Sequence, residues 1–244
     1  MVTATFTEKV TLSIFVPCFN EEKGISCALK NIKEGIHNVN YEILVADDAS
    51  TDKTVEIVEK FKEKNPEMNI KIFSNETNKG LGFNFWQTAK RAQGKYYMLI
   101  FGDHGIPSES VRKLTSNIGK ADMILSYYKD LRMPFRRIVS KTFVSLINLI
   151  HSNNIKYYNC DNIYLLEDVK FFNNGSSGFA YQAELITSLI RKNKTYIELE
   201  INLFWESHQS TTGTSRAFKF RNLVSVGISL LSMLSKQIVY ILKR

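Results

Sequence analysis

The chain has 244 residues, 44% of them hydrophobic and 23% charged, a balance that excludes an extended disordered polymer and suits one substantial folded core. The formal net charge of +8 is uneven: Glu206 is the last acidic residue, and Arg216, Lys219, Arg221, Lys236, Lys243 and Arg244 follow it. Such a basic tail points to phospholipid headgroups, phosphorylated ligands or nucleic acid, or to a solvated helix face.

From the N-terminus, MVTATFTEKV mixes acidic and polar residues before any apolar run and does not read as a signal peptide, which implies cytoplasmic residence. Residues 12–20 (LSIFVPCFN) form a β-rich run, 21–36 show helical spacing, and 41–48 (YEILVADD) give a second strand. An amphipathic helix over 51–65 follows, then a strand over 69–75, a helix over 83–93 and a strand over 95–103 (KYYMLIFGD). Strand alternating with helix predicts a mostly parallel sheet with right-handed crossovers. Ligands in such sheets bind beyond the carboxyl ends of the strands, so the polar segments PCFNEE, DDAST, SNETNKGLG and GDHGIP should converge on one crevice. The pattern weakens beyond residue 120, where 121–128 and 196–205 suit strands and 136–152 suits a helix. The last helix, over 221–242, places Leu223, Val226, Leu230, Leu234, Ile238 and Ile241 near one face. Lys236 and several serines dilute it as a bilayer span, leaving packing on its own domain, pairing with a second subunit or lying in a membrane interface. The resulting division is a main domain over 1–222 and a basic amphipathic helix over 223–244.

Cys18, Cys27 and Cys160 are odd in number and lack metal-binding spacing, which favours buried free thiols in a reducing compartment. Asp47 and Asp48 end the second strand. One of them suffices to cap the next helix, and two adjacent carboxylates also offer acceptors for the donors of a base and a ribose. Asp103 ends a strongly apolar strand, where a carboxylate is costly unless solvated or bound to a cation such as Mg2+ or Mn2+. His104 is a second candidate ligand, better suited to Mn2+, with a structural role as its alternative.

The ordered segments VPCFNEEKGI, EILVADDASTDKT, NKGLGFN, GKYYMLIFGDHGIP and GFAYQAELI resemble family 2 glycosyltransferases, particularly the dolichyl-phosphate mannose synthase-like and bacterial polyprenyl-phosphate glycosyltransferase branch. The resemblance runs from about Leu12 to about Leu223. It implies the GT-A nucleotide-diphospho-sugar transferase fold, an α/β architecture with a mostly parallel central sheet flanked by helices. Pro17, Phe19, Asn20 and Glu21 match the first nucleotide-contacting loop, Asp47 and Asp48 the base- and ribose-binding pair, and Asn78, Lys79, Gly80 and Gly82 the loop beside the donor. Where the family usually carries Asp-x-Asp at its metal, this chain reads Phe101-Gly102-Asp103, so only the second aspartate is present. Arg136, Arg137 and Ser140 resemble the segment that holds donor and acceptor phosphates, a task suited to the bidentate guanidinium fork. Arg216 stands at a lysine position in a Gly-x-Ser-Lys-type segment, whose usual preceding arginine is replaced by Ser210. Gln182 and Glu184 match a Gln-x-Glu on the acceptor side, with Glu184 the candidate general base.

These residues imply an inverting transfer from a UDP- or GDP-sugar, assisted by Mg2+ or Mn2+ at Asp103, with Arg136 and Glu184 on the acceptor side. A polyprenyl phosphate is the expected acceptor, at the inner face of the cell membrane where the protein would sit peripherally on an anionic surface. The rivals are a saccharide hydroxyl in capsule or lipopolysaccharide assembly and a non-catalytic nucleotide-sugar-binding module. A homo-oligomer is compatible with the sequence. Nucleic acid is not an expected partner, because no recognition motif accompanies the basic pI of about 9.2.

Overall fold

A computed structural model describes residues 9–103, 105–128, 134–172, 178, 180–203 and a few positions between 227 and 237. Seven strands form one sheet: β1 (Leu12–Cys18), β2 (Tyr41–Asp47), β3 (Ile70–Ser74), β4 (Tyr96–Leu99), β5 (Met123–Tyr127), β6 (Ile163–Leu165) and β7 (Tyr196–Glu200). Their spatial order is β3-β2-β1-β4-β6-β5-β7. The first four pair in parallel, with Leu12 opposite Tyr41 on one side of β1 and opposite Tyr96 on the other. The expected α/β fold with a mostly parallel sheet flanked by helices is thus the observed one.

Two helical layers cover the sheet. On one face lie α1 (Ile25–Gly35), α2 (Thr54–Lys64) and α4 (Ser108–Thr115), which add Ile25, Leu29, Ile32, Val58, Val111 and Leu114 to strand residues such as Ile14, Val16 and Met98. In α1 the apolar positions 25, 28, 29 and 32 follow the 3.6-residue period, so a single stripe meets the strands. Opposite are α3 (Leu81–Arg91), α5 (Pro134–His151), α6 (Leu166–Phe171) and α7 (Tyr181–Arg191), whose Phe85, Trp86, Ile147, Val169, Leu185 and Leu189 pack on Phe15, Tyr97 and Tyr164. Phe85 meets Tyr97 and Tyr181 with ring centroids 5.1 and 4.9 Å apart, locking α3 and α7 against the central strands.

The sequence reading changes in three places. A short strand, β6, joins the sheet beyond the strands expected from the sequence and runs antiparallel to both β4 and β5. Three residues are too few to show a period, and its apolar run continues directly into α6. The last strand stops at Glu200 rather than extending to 205. Helices α4, α6 and α7 add to the sequence expectation: α4 and α6 are only 8 and 6 residues long, and α7 carries the polar residues Gln182, Glu184 and Thr187 on buried positions, which blurs its apolar stripe. In the C-terminal segment, the described positions are helical, Met233 is buried in the second core, and Gln237 lies 3.1 Å from the His151 ring. No helix among the described residues is long and apolar enough to cross a membrane.

One buried charge ties the sheet to its surroundings. Glu42, on β2, accepts hydrogen bonds from the Ser13 hydroxyl (2.7 Å), the Gln93 backbone amide (2.7 Å) and Lys71 Nζ (2.8 Å). Burial alone would raise its carboxyl, and these donors overcome that and hold it below the usual carboxylate value. Its stabilisation is therefore present above the unfolded carboxyl pKa and is lost as pH falls through the lower folded value. Glu42→Ala is expected to cost about 3 kcal/mol in urea-unfolding free energy, because it strips three charge-assisted bonds from a dry site. A loss below about 1 kcal/mol would show that the network is incidental.

Candidate functional site at the strand tips

The carboxyl ends of β1, β2 and β4 lie side by side, and the segments beyond them are sewn together by side-chain-to-backbone bonds. Past β1, Asn20 takes up a left-handed backbone (φ 56°), its amide donates to the Ser50 hydroxyl at 2.9 Å, and its side-chain oxygen accepts from the Thr51 amide at 2.8 Å. The Glu21 amide donates to the Thr54 hydroxyl at 2.8 Å, and the Glu21 carbonyl receives the first amides of α1. Pro17 closes the edge of this loop, its carbonyl accepting from the Gly102 amide at 3.1 Å. A β-carbon at Gly102 would stand 2.8 Å from that carbonyl oxygen, so only glycine lets the end of β4 run this close to β1.

The two aspartates at the end of β2 do different work. Asp47 is buried and folds back on its own turn, accepting weakly from the Ser50 amide at 3.2 and 3.3 Å. Asp48 reaches across to the next loop. Its Oδ1 accepts from Asn75 Nδ2 (2.9 Å) and the Lys79 amide (2.8 Å), and its Oδ2 accepts from the Gly80 amide (2.8 Å). Asn78 Nδ2 adds a 3.3 Å bond to the Asp48 carbonyl. Gly80 sits at φ 89°, which favours glycine, and immediately precedes α3, where Gly82 is buried. Asp48 is thus the organiser of the Asn78–Gly80 loop, a task that adjacency in sequence did not reveal.

Beyond β4 the chain keeps hydrogen-bonding along β1, with Ile100 and Gly102 amides donating to the Phe15 and Pro17 carbonyls, and this delivers Asp103 to the exposed rim. With neighbouring strands about 4.8 Å apart, the ends of β2 and β4 are roughly 10 Å apart across β1. A diphosphate-sized ligand can bridge that gap. Asp47, Asp48 and Asp103 therefore share one rim, as the strand-end rule requires.

A residue absent from the sequence reading completes this rim. Asp161 immediately precedes Asn162 and β6, and the Leu99 amide donates to the Asn162 carbonyl at 3.2 Å, so antiparallel pairing carries Asp161 to the end of β4. It is 3% exposed, and its Oδ1 has no hydrogen-bond partner. Burial, reinforced by the charge of Asp103, pushes its carboxyl up to about 7, against weaker support from the Phe101 backbone. The flanking backbone is fixed: Ser126 Oγ donates to the Asp161 carbonyl at 2.8 Å, and Gln182 Nε2 donates to the Cys160 carbonyl at 3.1 Å. No residue pattern marks Asp161, because only the pairing of a three-residue strand puts it beside Asp103.

Gln182 is fully buried and also accepts from Asn162 Nδ2 (2.9 Å) and the Tyr164 hydroxyl (2.7 Å), so it ties α7 to β6. Glu184 lies on the same helix and is 5% exposed. Ser140 is half-buried on α5, and Arg136 and Arg137 belong to the first turn of that helix. His104 and Arg216 lie outside the described residues. Among the described residues no group of three His, Cys, Asp or Glu side chains could hold a metal ion, which leaves an incomplete carboxylate set at Asp103 and Asp161. Such a set fits Mg2+ or Mn2+, which keep open positions for water and substrate phosphate. The cysteines are free, Cys18 and Cys160 buried and Cys27 half-buried; burial pushes the first two thiols far up, which leaves them unreactive.

Comparison with known proteins bears on the family and the fold. A dolichyl N-acetyl-α-D-glucosaminyl phosphate 3-β-D-2,3-diacetamido-2,3-dideoxy-β-D-glucuronosyltransferase from Methanococcus voltae is 39% identical over 103 residues, covering 42% of this chain and 32% of that protein. A dolichol-phosphate mannosyltransferase from Pyrococcus furiosus is 30% identical over 137 residues, 53% of this chain and 38% of the relative. The matches thus span only about a third of the length of these curated relatives. In fold, the chain is similar to glucosyl-3-phosphoglycerate synthase from Mycobacterium tuberculosis, solved with Mn2+, UDP and phosphoglyceric acid, at a TM-score of 0.69 and 14% identity over 93% of this chain and 78% of that one. The family description "Glycosyl transferase family 2" matches residues 13–186, most of the chain and all the strand-tip loops described above, so the chain belongs to that family.

Proposed function

We propose that this chain transfers a sugar from a UDP- or GDP-sugar to a polyprenyl phosphate by a single inverting displacement. The observation that carries the donor assignment is the interlocked rim of Asn20, Asp48 and the Asn78–Gly80 loop, a prebuilt cradle at the strand ends. In the displacement, an acceptor oxygen attacks the anomeric carbon, the bond from that carbon to the diphosphate oxygen breaks, and the diphosphate leaves with the electron pair. Pro17, Phe19, Asn20, Glu21, Asp47 and Asp48 hold the nucleoside, while Lys79, Gly80 and Gly82 flank the diphosphate. Asp103, with His104 as a second candidate, would hold Mg2+ or Mn2+, whose charge offsets that of the diphosphate.

A phosphate acceptor is already anionic and needs no proton removed, so positioning by Arg136, Arg137, Ser140 and Arg216 suffices. A hydroxyl acceptor would require a base, and Glu184 would take that proton. The lipid acceptor is favoured by the outer side of α5, where Ile138 (62% exposed), Leu146 and Leu149 (78% exposed) flank Lys141 around an open groove of about 380 Å³. An apolar stripe beside a lysine suits an anionic membrane surface, and the basic segment 223–244 would add to it.

A panel of UDP- and GDP-sugars, each with and without Mn2+, tests the donor assignment by thermal shift. One donor at a hundredfold excess over its Kd should add about 2.7 kcal/mol of stability. Co-sedimentation with vesicles of anionic phospholipid tests the acceptor assignment. No shift with any donor refutes the transferase reading, and indifference to the vesicles favours a saccharide hydroxyl as acceptor.

A further inference from the structure

We infer that Asp161, from the start of β6, is the second protein ligand of the divalent cation held by Asp103, replacing the carboxylate that Phe101 does not provide. The inference deepens the proposed donor site and rests on its placing of a cation at Asp103.

Three observations converge on it. Asp161 is buried, yet one carboxylate oxygen has no hydrogen-bond partner. Its other oxygen, Oδ2, has the Cys160 thiol at 3.8 Å, and a dry carboxylate oxygen left without a partner is costly and calls for an explanation such as a bound ion. The charge that acts on it is that of another carboxylate, Asp103, which makes the cost larger. A divalent ion between the two inverts the sign of both terms, turning repulsion and desolvation into attraction.

The backbone around Asp161 is held on both sides. The Ser126 hydroxyl donates to the Asp161 carbonyl, and its amide donates to Asn162 Oδ1 at 2.8 Å. Gln182 fixes the preceding carbonyl and, through Asn162 and Tyr164, the following strand. All of these bonds position the Asp161 backbone and leave its Oδ1 unoccupied. Ligand sets are held in this way by partners behind the coordinating atoms. The sequence position also fits: in the antiparallel ladder Met98 faces Ile163, so Asp161 falls opposite the residues just past Leu99, where the strand turns out toward Asp103.

Mn2+ binding, followed by electron paramagnetic resonance with the ion alone and with UDP or GDP, tests this without turnover. Wild-type protein should bind one Mn2+, and Asp161→Asn should weaken it at least tenfold while affinity for the metal-free nucleotide is unchanged. Because asparagine removes a buried charge at constant shape, this variant should also melt no lower than wild type when no metal is added. Asp161→Cys supplies a second readout: it should lose Mn2+ but gain Cd2+, since a thiolate prefers the softer ion. Mn2+ affinity equal to wild type in Asp161→Asn, or no gain of Cd2+ by the cysteine variant, would overturn the assignment. A wild type that binds Mn2+ through Asp161 but no nucleotide would instead refute the donor reading and leave this inference standing.

Discussion

Asp103→Ala is expected to lower sugar transfer by about 100- to 1000-fold and to abolish any response to added Mn2+ or Mg2+, the scale on which removing one preorganised charge partner acts. The residue is exposed at the rim, so the substitution leaves the core untouched and the melting temperature close to wild type. Binding of metal-free nucleotide should persist, because the cradle of Asn20 and Asp48 does not pass through Asp103. Steady-state transfer assays at varied Mn2+, with nucleotide affinity measured in parallel, separate these effects. Turnover that stays metal-dependent in the variant would remove Asp103 from the site.

Asp48→Ala should be the most damaging change at the rim for stability and donor binding together. It leaves the amides of Lys79 and Gly80 and the side chain of Asn75 without their acceptor. Each lost charge-assisted bond is worth about 1.5–3 kcal/mol, and partial relaxation of the loop toward water brings the sum to about 3 kcal/mol. For a chain of this length that corresponds to roughly 10 °C in melting temperature. Donor affinity should fall more than tenfold if the Asn78–Gly80 loop flanks the diphosphate as proposed, since it would no longer be preorganised. Asp47→Ala is the internal control: its bonds to the Ser50 amide are longer and local, so about 1 kcal/mol is expected. Equal losses for the two aspartates would contradict the division of labour described above.

Both experiments concern the same rim, and the proposed role of Asp161 links them. If Asp103 and Asp161 share an ion, the effect of Asp103→Ala on Mn2+ affinity should be non-additive with that of Asp161→Asn, as expected for groups acting through one partner.

Much of this architecture was legible in the chain itself. Alternating apolar strands and amphipathic helices through residue 103 dictated a parallel α/β sheet, because strand and helix periods differ and parallel strands need crossovers. Polar residues after each strand, among them Asn20, Asp47, Asp48, Asn78 and Asp103, then had to gather at one edge, since parallel strands all end on the same side. What the sequence alone could not disclose depends on partners distant along the chain. That Asp48 holds a loop 31 residues away, that Glu42 is satisfied from Ser13 and Gln93, and that Gln182 serves the interior are facts of tertiary contact. Asp161 is the sharpest instance: it sits 58 positions after Asp103, and only the antiparallel insertion of β6 beside β4 brings the two carboxylates together. A local pattern encodes the period of an element and the edge at which it ends; which charges become neighbours is set by the strand order, which is decided when the whole sheet assembles.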